Sequence, residues 1–275
     1  MTAPATARTT HTVDLPHGPR LTVDTYGTAT GRAPVLLLHG GAGPRTMSGL
    51  AAALCGHTLA VAPTHPGFDS TPRPDWCDSV ADLATAYLDL LDELDLTGVL
   101  VVGNSVGGWI AAEMALRDTR GRVGALTLLN AVGVHAERPA DQVVDPRTLP
   151  PAEMTRLSFA DPAFRPDFAA FTDEQRAVAA ADQRALAVYG GPAFSHDPEL
   201  RGRLHRVTVP VLVLWGEEDG IATTAYGRGY ADAFPDARFV AVPGAAHFPQ
   251  IERPVETVHA IADFADSVAG ADAAR

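Results

Sequence analysis

Three residue types in this chain could do chemistry together: a serine in a glycine-rich turn, a histidine in a late loop, and a carboxylate between the two in sequence. Ser105 sits in Gly103-Asn104-Ser105-Val106-Gly107-Gly108. The apolar β-branched run Val99 to Val102 precedes this turn, and an Ala-rich helical pattern, Trp109 to Arg117, follows it. A buried strand therefore turns sharply into a helix, with Ser105 at the corner. Glycines suit such a corner, because two backbones approach closely there and a strained serine needs neighbours without Cβ atoms. A serine hydroxyl is a poor nucleophile at neutral pH; it needs a base, and the base needs an orienting acid. Two later strand ends offer candidates, Gly216-Glu217-Glu218-Asp219-Gly220 and Pro243-Gly-Ala-Ala-His247-Phe248. Residue type alone leaves Glu217, Glu218 and Asp219 open as the acid. His39 and His65, each beside a glycine or proline turn, read as loop-fixing imidazoles, and His135, His196 and His205 fall in or beside an insert. Attack on a carbonyl puts charge on its oxygen, which needs preorganised donors. The backbone N–H of Val106, at the helix start, is one candidate. The turn His39-Gly40-Gly41-Ala42-Gly43 is placed to supply a second.

Composition narrows the classes. The chain has 275 residues, 46% of them hydrophobic, enough for one large core or a core plus a small insert. Its formal net charge is −12 and all 21 basic residues are arginine. Without lysine there is no Schiff-base lysine and no P-loop lysine, and the acidic balance argues against nucleic acid and anionic membrane surfaces as partners. Cys55 and Cys77 have no zinc-type spacing and fit a reducing compartment. Met1 to Thr12 lacks an apolar core of the signal-peptide kind, and no run of about 18 apolar residues occurs, so a cytoplasmic address is expected. A small-molecule substrate is the expected partner, with a homodimer as the default assembly.

The elements that must position these residues alternate. His11 to Leu15 and Leu21 to Tyr26 read as a hairpin; Pro34 to Leu38, Thr58 to Ala62, Val99 to Val102, Ala125 to Leu129, Val209 to Trp215 and Arg238 to Val242 read as strands. Helical patterns cover Thr46 to Cys55, Asp78 to Leu94, Ala222 to Phe234 and Val255 to Val268. The tail from Ala269 to Arg275 is expected to fray. From His135 to Arg206 prolines crowd (Pro139, Pro146, Pro150, Pro151, Pro162, Pro166), short helical pieces follow, clearest at Thr172 to Tyr189, and no buried strand is visible. The fold class is therefore α/β: a mostly parallel central sheet flanked by helices, residues 1–134 and 207–275, with a helical cap inserted at 135–206. Ligands of such sheets sit at the carboxyl ends of the strands.

The elbow Gly103-x-Ser105-x-Gly107, the turn His39-Gly40-Gly41, the loop Gly216-x-x-Asp219 after Pro210-Val-Leu-Val-Leu-Trp215, and Gly244-Ala-x-His247-x-x-x-x-Glu252-x-Pro254 together resemble the α/β-hydrolase family, in order and over nearly the whole chain. The resemblance implies Ser105 as nucleophile, His247 as general base and then acid, Asp219 as the orienting acid, and Gly41 with Val106 as the oxyanion donors. Gly40, Trp109 and Phe248 are candidate substrate-binding positions, although packing is the default role of Trp109. No metal and no organic cofactor is implied. The expected reaction is hydrolysis of a small, fairly apolar carboxylic ester or lactone through an acyl-enzyme. Gly103-Asn104-Ser105-x-Gly107-Gly108 is also similar to the form in carbon–carbon hydrolases of dienoic ring-cleavage products. Those usually carry tryptophan after the catalytic histidine, where this chain has Phe248. Perhydrolase, acyltransferase or a non-catalytic receptor are the further alternatives.

Overall fold

A computed structural model describes residues 8–138, 141 and 143–273. The strands are β1 (Arg8–Asp14), β2 (Arg20–Tyr26), β3 (Val35–Leu38), β4 (Ala60–Pro63), β5 (Val99–Asn104), β6 (Val123–Leu129), β7 (Gly133–Val134), β8 (His196–Asp197), β9 (Val211–Gly216) and β10 (Ala237–Val242). The helices are α1 (Arg45–Leu54), α2 (Val80–Glu93), α3 (Val106–Arg117), α4 (Pro151–Ser158), α5 (Asp173–Tyr189), α6 (Leu200–Arg203), α7 (Thr224–Ala231), α8 (Pro249–Glu252) and α9 (Pro254–Ala273). Among the described residues one eight-stranded sheet runs β1-β2-β4-β3-β5-β6-β9-β10. Only the hairpin end is antiparallel: β1 pairs with β2, and β2 with β4, in that sense. From β4 onward every pairing is parallel, so β3, β5, β6, β9 and β10 all end at one rim.

The alternation of side chains along each central strand divides the core in two. Val99 and Val101 of β5, Leu36 and Leu38 of β3, and Val213 and Trp215 of β9 pack on the face covered by α2, α3 and α7. Leu100 and Val102, Val35 and Leu37, and Leu212 and Leu214 pack on the opposite face, under α1 and α9. Both faces are apolar because both are covered, which explains the unbroken hydrophobic runs in the sequence. The helix α2 is started by a capping box in which Ser79 and Asp82 satisfy each other's backbone N–H groups.

Two points depart from the sequence expectations. α9 continues through Ala269–Ala273, where fraying was expected, because an Ala-rich segment propagates a helix that is already docked. The insert contains one short, half-buried strand, β8, which pairs in parallel with β7 at the border of the core, Gly133 opposite His196 and Val134 opposite Asp197. Two-residue strands carry no periodicity to read. Pro139, residues 1–7 and the last two residues of the tail lie outside the described residues.

The turn from β5 to α3 is held by backbone contacts that exclude side chains. A Cβ on Gly103 would lie 2.2 Å from the carbonyl oxygen of Gly107, and one on Gly107 would lie 2.2 Å from the carbonyl oxygen of Leu38 on β3. Backbone cannot yield as a flexible side chain can. Gly107→Ala is expected to lower the unfolding free energy by about 3 kcal/mol or to prevent soluble expression. Gly49→Ala, in α1 with open space where a Cβ would go, is the matched control and should stabilise by about 0.5 kcal/mol. Urea unfolding of both variants checks the pair.

Candidate active site

Ser105 has φ 55° and ψ −120°, in the left-handed half of backbone space that a residue with a Cβ enters at a cost of about 1–3 kcal/mol. Formally it is the N-cap of α3, yet its hydroxyl caps nothing. Ser79, Thr172 and Thr223, which cap α2, α5 and α7 from extended backbone, all accept a helix N–H. The strained dihedrals thus take the Ser105 hydroxyl away from its own helix and leave it free for another partner. The backbone around it is fixed: Ser105 N–H donates to Leu129 O at 3.0 Å, and its carbonyl accepts from Gly108, Trp109 and Val132.

Of the three adjacent carboxylates after β9, Glu217 and Glu218 are exposed and Asp219 is buried, 6% accessible. Asp219 Oδ1 accepts from the N–H groups of Ile221 (2.8 Å) and Ala222 (3.2 Å). Its Oδ2 accepts from Asn130 Nδ2 at 2.7 Å and lies 2.9 Å from His247 Nδ1. A carboxylate so placed holds the proton of His247 on Nδ1 and leaves Nε2 as the basic nitrogen. His247 is 4% exposed. Its carbonyl accepts from Asn104 Nδ2 at 3.1 Å. Asn104 is the residue immediately before Ser105, so the histidine loop is tied directly to the elbow.

Sequence reading assigned no role to several of these supports, although Glu252 stands in the motif around His247. Asn130, one residue past β6 with φ 44°, donates to Asp219 and accepts the N–H of Gly216 through Oδ1 at 3.1 Å. Its only signal was an asparagine closing an apolar strand, a residue that tolerates the left-handed conformation. Glu252, 2% exposed, accepts from Ala246 N–H (2.8 Å) and from Asp161 N–H (3.0 Å). The end of α4 reaches both loops: Leu157 O accepts from Gly220 N–H, and Ser158 O from His247 N–H, each at 3.0 Å. The insert therefore holds the acid loop and the histidine loop in place through main-chain groups, which no side-chain pattern reveals.

The other expected positions lie as follows. Gly40 abuts the elbow, since a Cβ on it would be 2.9 Å from Ser105 Cβ. Gly41 follows it in the same loop and is half-buried, and Val106 N–H is the first of α3. Among the described residues neither of these two N–H groups donates to a backbone carbonyl. Phe248 meets His247 edge-on at 5.3 Å and stacks on Phe159 of the insert at 5.0 Å. Trp109 is buried against β7; a Cβ on Gly133 would come within 2.5 Å of its Cγ, so that glycine makes room for the indole. Among the described residues no group of three or more His, Cys, Asp or Glu side chains could hold a metal ion.

His39 and His65 form a buried pair below this rim. Their rings stack at 3.7 Å. His39 Nε2 accepts the N–H of His65 at 3.0 Å, which puts its proton on Nδ1, donated to Gly40 O at 2.7 Å. His65 donates through Nε2 to His39 O at 2.8 Å and faces the Tyr87 hydroxyl through Nδ1. Every ring nitrogen is thus used with both imidazoles neutral. Burial holds His39 down to about 4 and pushes His65 well below the ordinary histidine range.

Comparison with known proteins finds relatives in sequence and in fold. The sequence profile described as "Alpha/beta hydrolase family" matches residues 35–261. A pimeloyl-(acyl-carrier protein) methyl ester esterase of Chromobacterium violaceum is 29% identical over 251 residues, covering 84% of this chain and 92% of the relative. A 2-hydroxy-6-oxo-6-(2'-aminophenyl)hexa-2,4-dienoic acid hydrolase of Metapseudomonas resinovorans is 26% identical over 252 residues, covering 84% and 83%. The structure of an esterase from Exiguobacterium antarcticum superposes with a TM-score of 0.74 at 17% identity, covering 93% of this chain and 98% of that one. This last likeness is one of fold.

The buried histidines generate a pH dependence with a definite sign. In the unfolded chain they take up protons near pH 6.5, whereas folded His39 stays neutral down to about pH 4. Between those values the unfolded state binds more protons, so the stability contribution is complete above pH 6.5 and is lost as the pH falls toward 4. By pH 5 His39 alone accounts for a loss of about 2 kcal/mol. Urea unfolding at half-unit steps from pH 7 to 5 should show this decline, and His39→Gln should flatten it. A wild-type curve level across that interval would contradict the neutral buried pair.

Proposed function

Because the chain belongs to the alpha/beta hydrolase family, we propose that it is a serine hydrolase cleaving a small, fairly apolar carboxylic ester or lactone. The observation that carries this reading is the buried Asp219–His247 hydrogen bond of 2.9 Å, tied through Asn104 to an elbow whose serine hydroxyl caps nothing. Ser105 Oγ attacks the carbonyl carbon as His247 Nε2 takes its proton. Asp219 steadies the resulting imidazolium. Charge collects on the former carbonyl oxygen, where the N–H groups of Val106 and Gly41 receive it; losing one such donor typically raises the barrier by about 3 kcal/mol. Collapse of the tetrahedral intermediate breaks the bond to the leaving oxygen, which takes the proton from His247. A water molecule then gives a proton to His247, attacks the acyl-enzyme and releases the acid, returning Ser105 to its resting state. No step calls for a metal or an organic cofactor.

An apolar substrate is supported by what stands around the rim. Phe248 and Phe159 form a stacked aromatic wall beside His247. The relatives bear on the reading in two directions, since one is named as a methyl ester esterase and another as a dienoic acid hydrolase. The second reading, cleavage of a carbon–carbon bond, draws on Gly103-Asn104-Ser105 and that second relative. Phe248, where the resemblance leads one to expect tryptophan, favours the ester.

Rates with p-nitrophenyl acetate and butyrate, measured beside a dienoic ring-cleavage substrate, separate the two. The wild type should turn over the esters, with Ser105→Ala and Asp219→Asn each reducing kcat by about a thousandfold or more. Turnover confined to the dienoic substrate would move the assignment to the carbon–carbon reaction. An Asp219→Asn variant as fast as wild type would remove Asp219 from the mechanism.

A further inference from the structure

The helix α5 does not merely lie near the candidate site; one of its faces is seated on glycines. Positions 182, 185, 186 and 189 share that face by helical spacing. A Cβ on Gly43 would lie 3.0 Å from Asp182 Oδ2, one on Gly67 would lie 3.1 Å from Ala185 Cβ, and one on Gly41 would lie 2.4 Å from Leu186 Cδ2. Two polar anchors hold the helix there. Asp182 Oδ1 accepts the N–H of Asp69 at 2.8 Å, and the Tyr189 hydroxyl donates to Pro66 O at 2.9 Å. Leu186 has no part in that anchoring. It is half-buried, and its isobutyl group rests on the one residue of this loop to which the oxyanion is assigned.

We propose that Leu186 determines how much bulk the site accepts next to the reacting carbonyl, an inference that rests on the hydrolase reading above. A carbonyl oxygen that reaches the N–H of Gly41 brings the substituents of its carbon within two bonds of that point. Leu186, in contact with Gly41, faces whichever substituent lies on the side of the insert. An unbranched group passes beneath the leucine, whereas a branch or ring at the first carbon meets its methyls. A few methylene groups of pocket wall are worth about 10- to 200-fold in discrimination between substrates. The expected substrate class is therefore an ester or lactone whose acyl group is unbranched at its first carbon.

The test compares ratios, which a general loss of activity does not move. For wild type, Leu186→Ala and Leu186→Met, kcat/KM is measured with p-nitrophenyl isobutyrate and p-nitrophenyl acetate. In parallel, the rate of Ser105 sulfonylation is followed by intact mass with propane-2-sulfonyl fluoride and methanesulfonyl fluoride. Leu186→Ala should raise the bulky-to-small ratio about tenfold in both series, and Leu186→Met should keep the wild-type ratio. Leu186→Val stands in if the alanine variant does not fold, with a smaller rise in the same direction. Ratios within about twofold of wild type in a folded Leu186→Ala or Leu186→Val protein overturn the proposal. If Ser105 is sulfonylated but no ester is turned over, the ester reading fails while the sulfonylation ratio still decides the role of Leu186. If neither reaction occurs with the wild type, both fall together.

Discussion

The site depends on one close approach of main chain to main chain. At the crossing of β5, α3 and the end of β3, the carbonyls of Gly107 and Leu38 occupy the space that Cβ atoms at 103 and 107 would need. That approach bends the chain tightly enough to hold Ser105 at φ 55°. It also brings the first turn of α3 under the strand ends, so that a helix N-terminus and the loop after β3 converge on the same few ångströms. A local strain of this kind persists only where the surroundings over-determine it. Here they do so through Leu129 O, Val132 N–H and the two helix N–H groups, all bonded to the main chain of Ser105. The nucleophile candidate is thus rigid in its backbone and free in its hydroxyl.

Around that fixed point the buried polar groups form a chain of hydrogen bonds longer than a simple triad. Gly216 N–H, Asn130, Asp219 and His247 are linked in sequence by hydrogen bonds of 3.1, 2.7 and 2.9 Å. The carboxylate receives two further main-chain donors. With Asn130 and His247 on the other oxygen, both oxygens of the buried carboxylate have partners, as burial of such a group requires. Glu217 and Glu218, exposed one and two residues away, have no such surroundings.

Much of this was legible in the sequence, for identifiable reasons. Strands buried on both faces announce themselves as apolar runs, and α2 showed its core face by spacing. The elbow was readable because its glycines are needed for their missing Cβ atoms, a constraint written in residue type. Asp219 was separable from Glu217 and Glu218 only through resemblance, since the difference lies in which of them the β9 loop turns inward. Asn130 acts through the distant Gly216 and Asp219, and Glu252 ties its neighbour Ala246 to the distant Asp161. Nothing local marks such roles. The β7–β8 bridge was too short to carry a period, and α9 runs past the expected fraying because its last residues extend a helix whose earlier turns are docked.

The end of α4 gives the insert a structural part that its side-chain pattern conceals. Leu157 and Ser158 lend their carbonyl oxygens to the loops of the acid and the histidine, and any residue type can supply a carbonyl. What these two contacts require of the segment is its path through space. A graft that replaced the insert from His135 onward would remove the two carbonyls that fix the Asp219 and His247 loops, and only a segment whose main chain follows the same path past residues 157 and 158 would restore them.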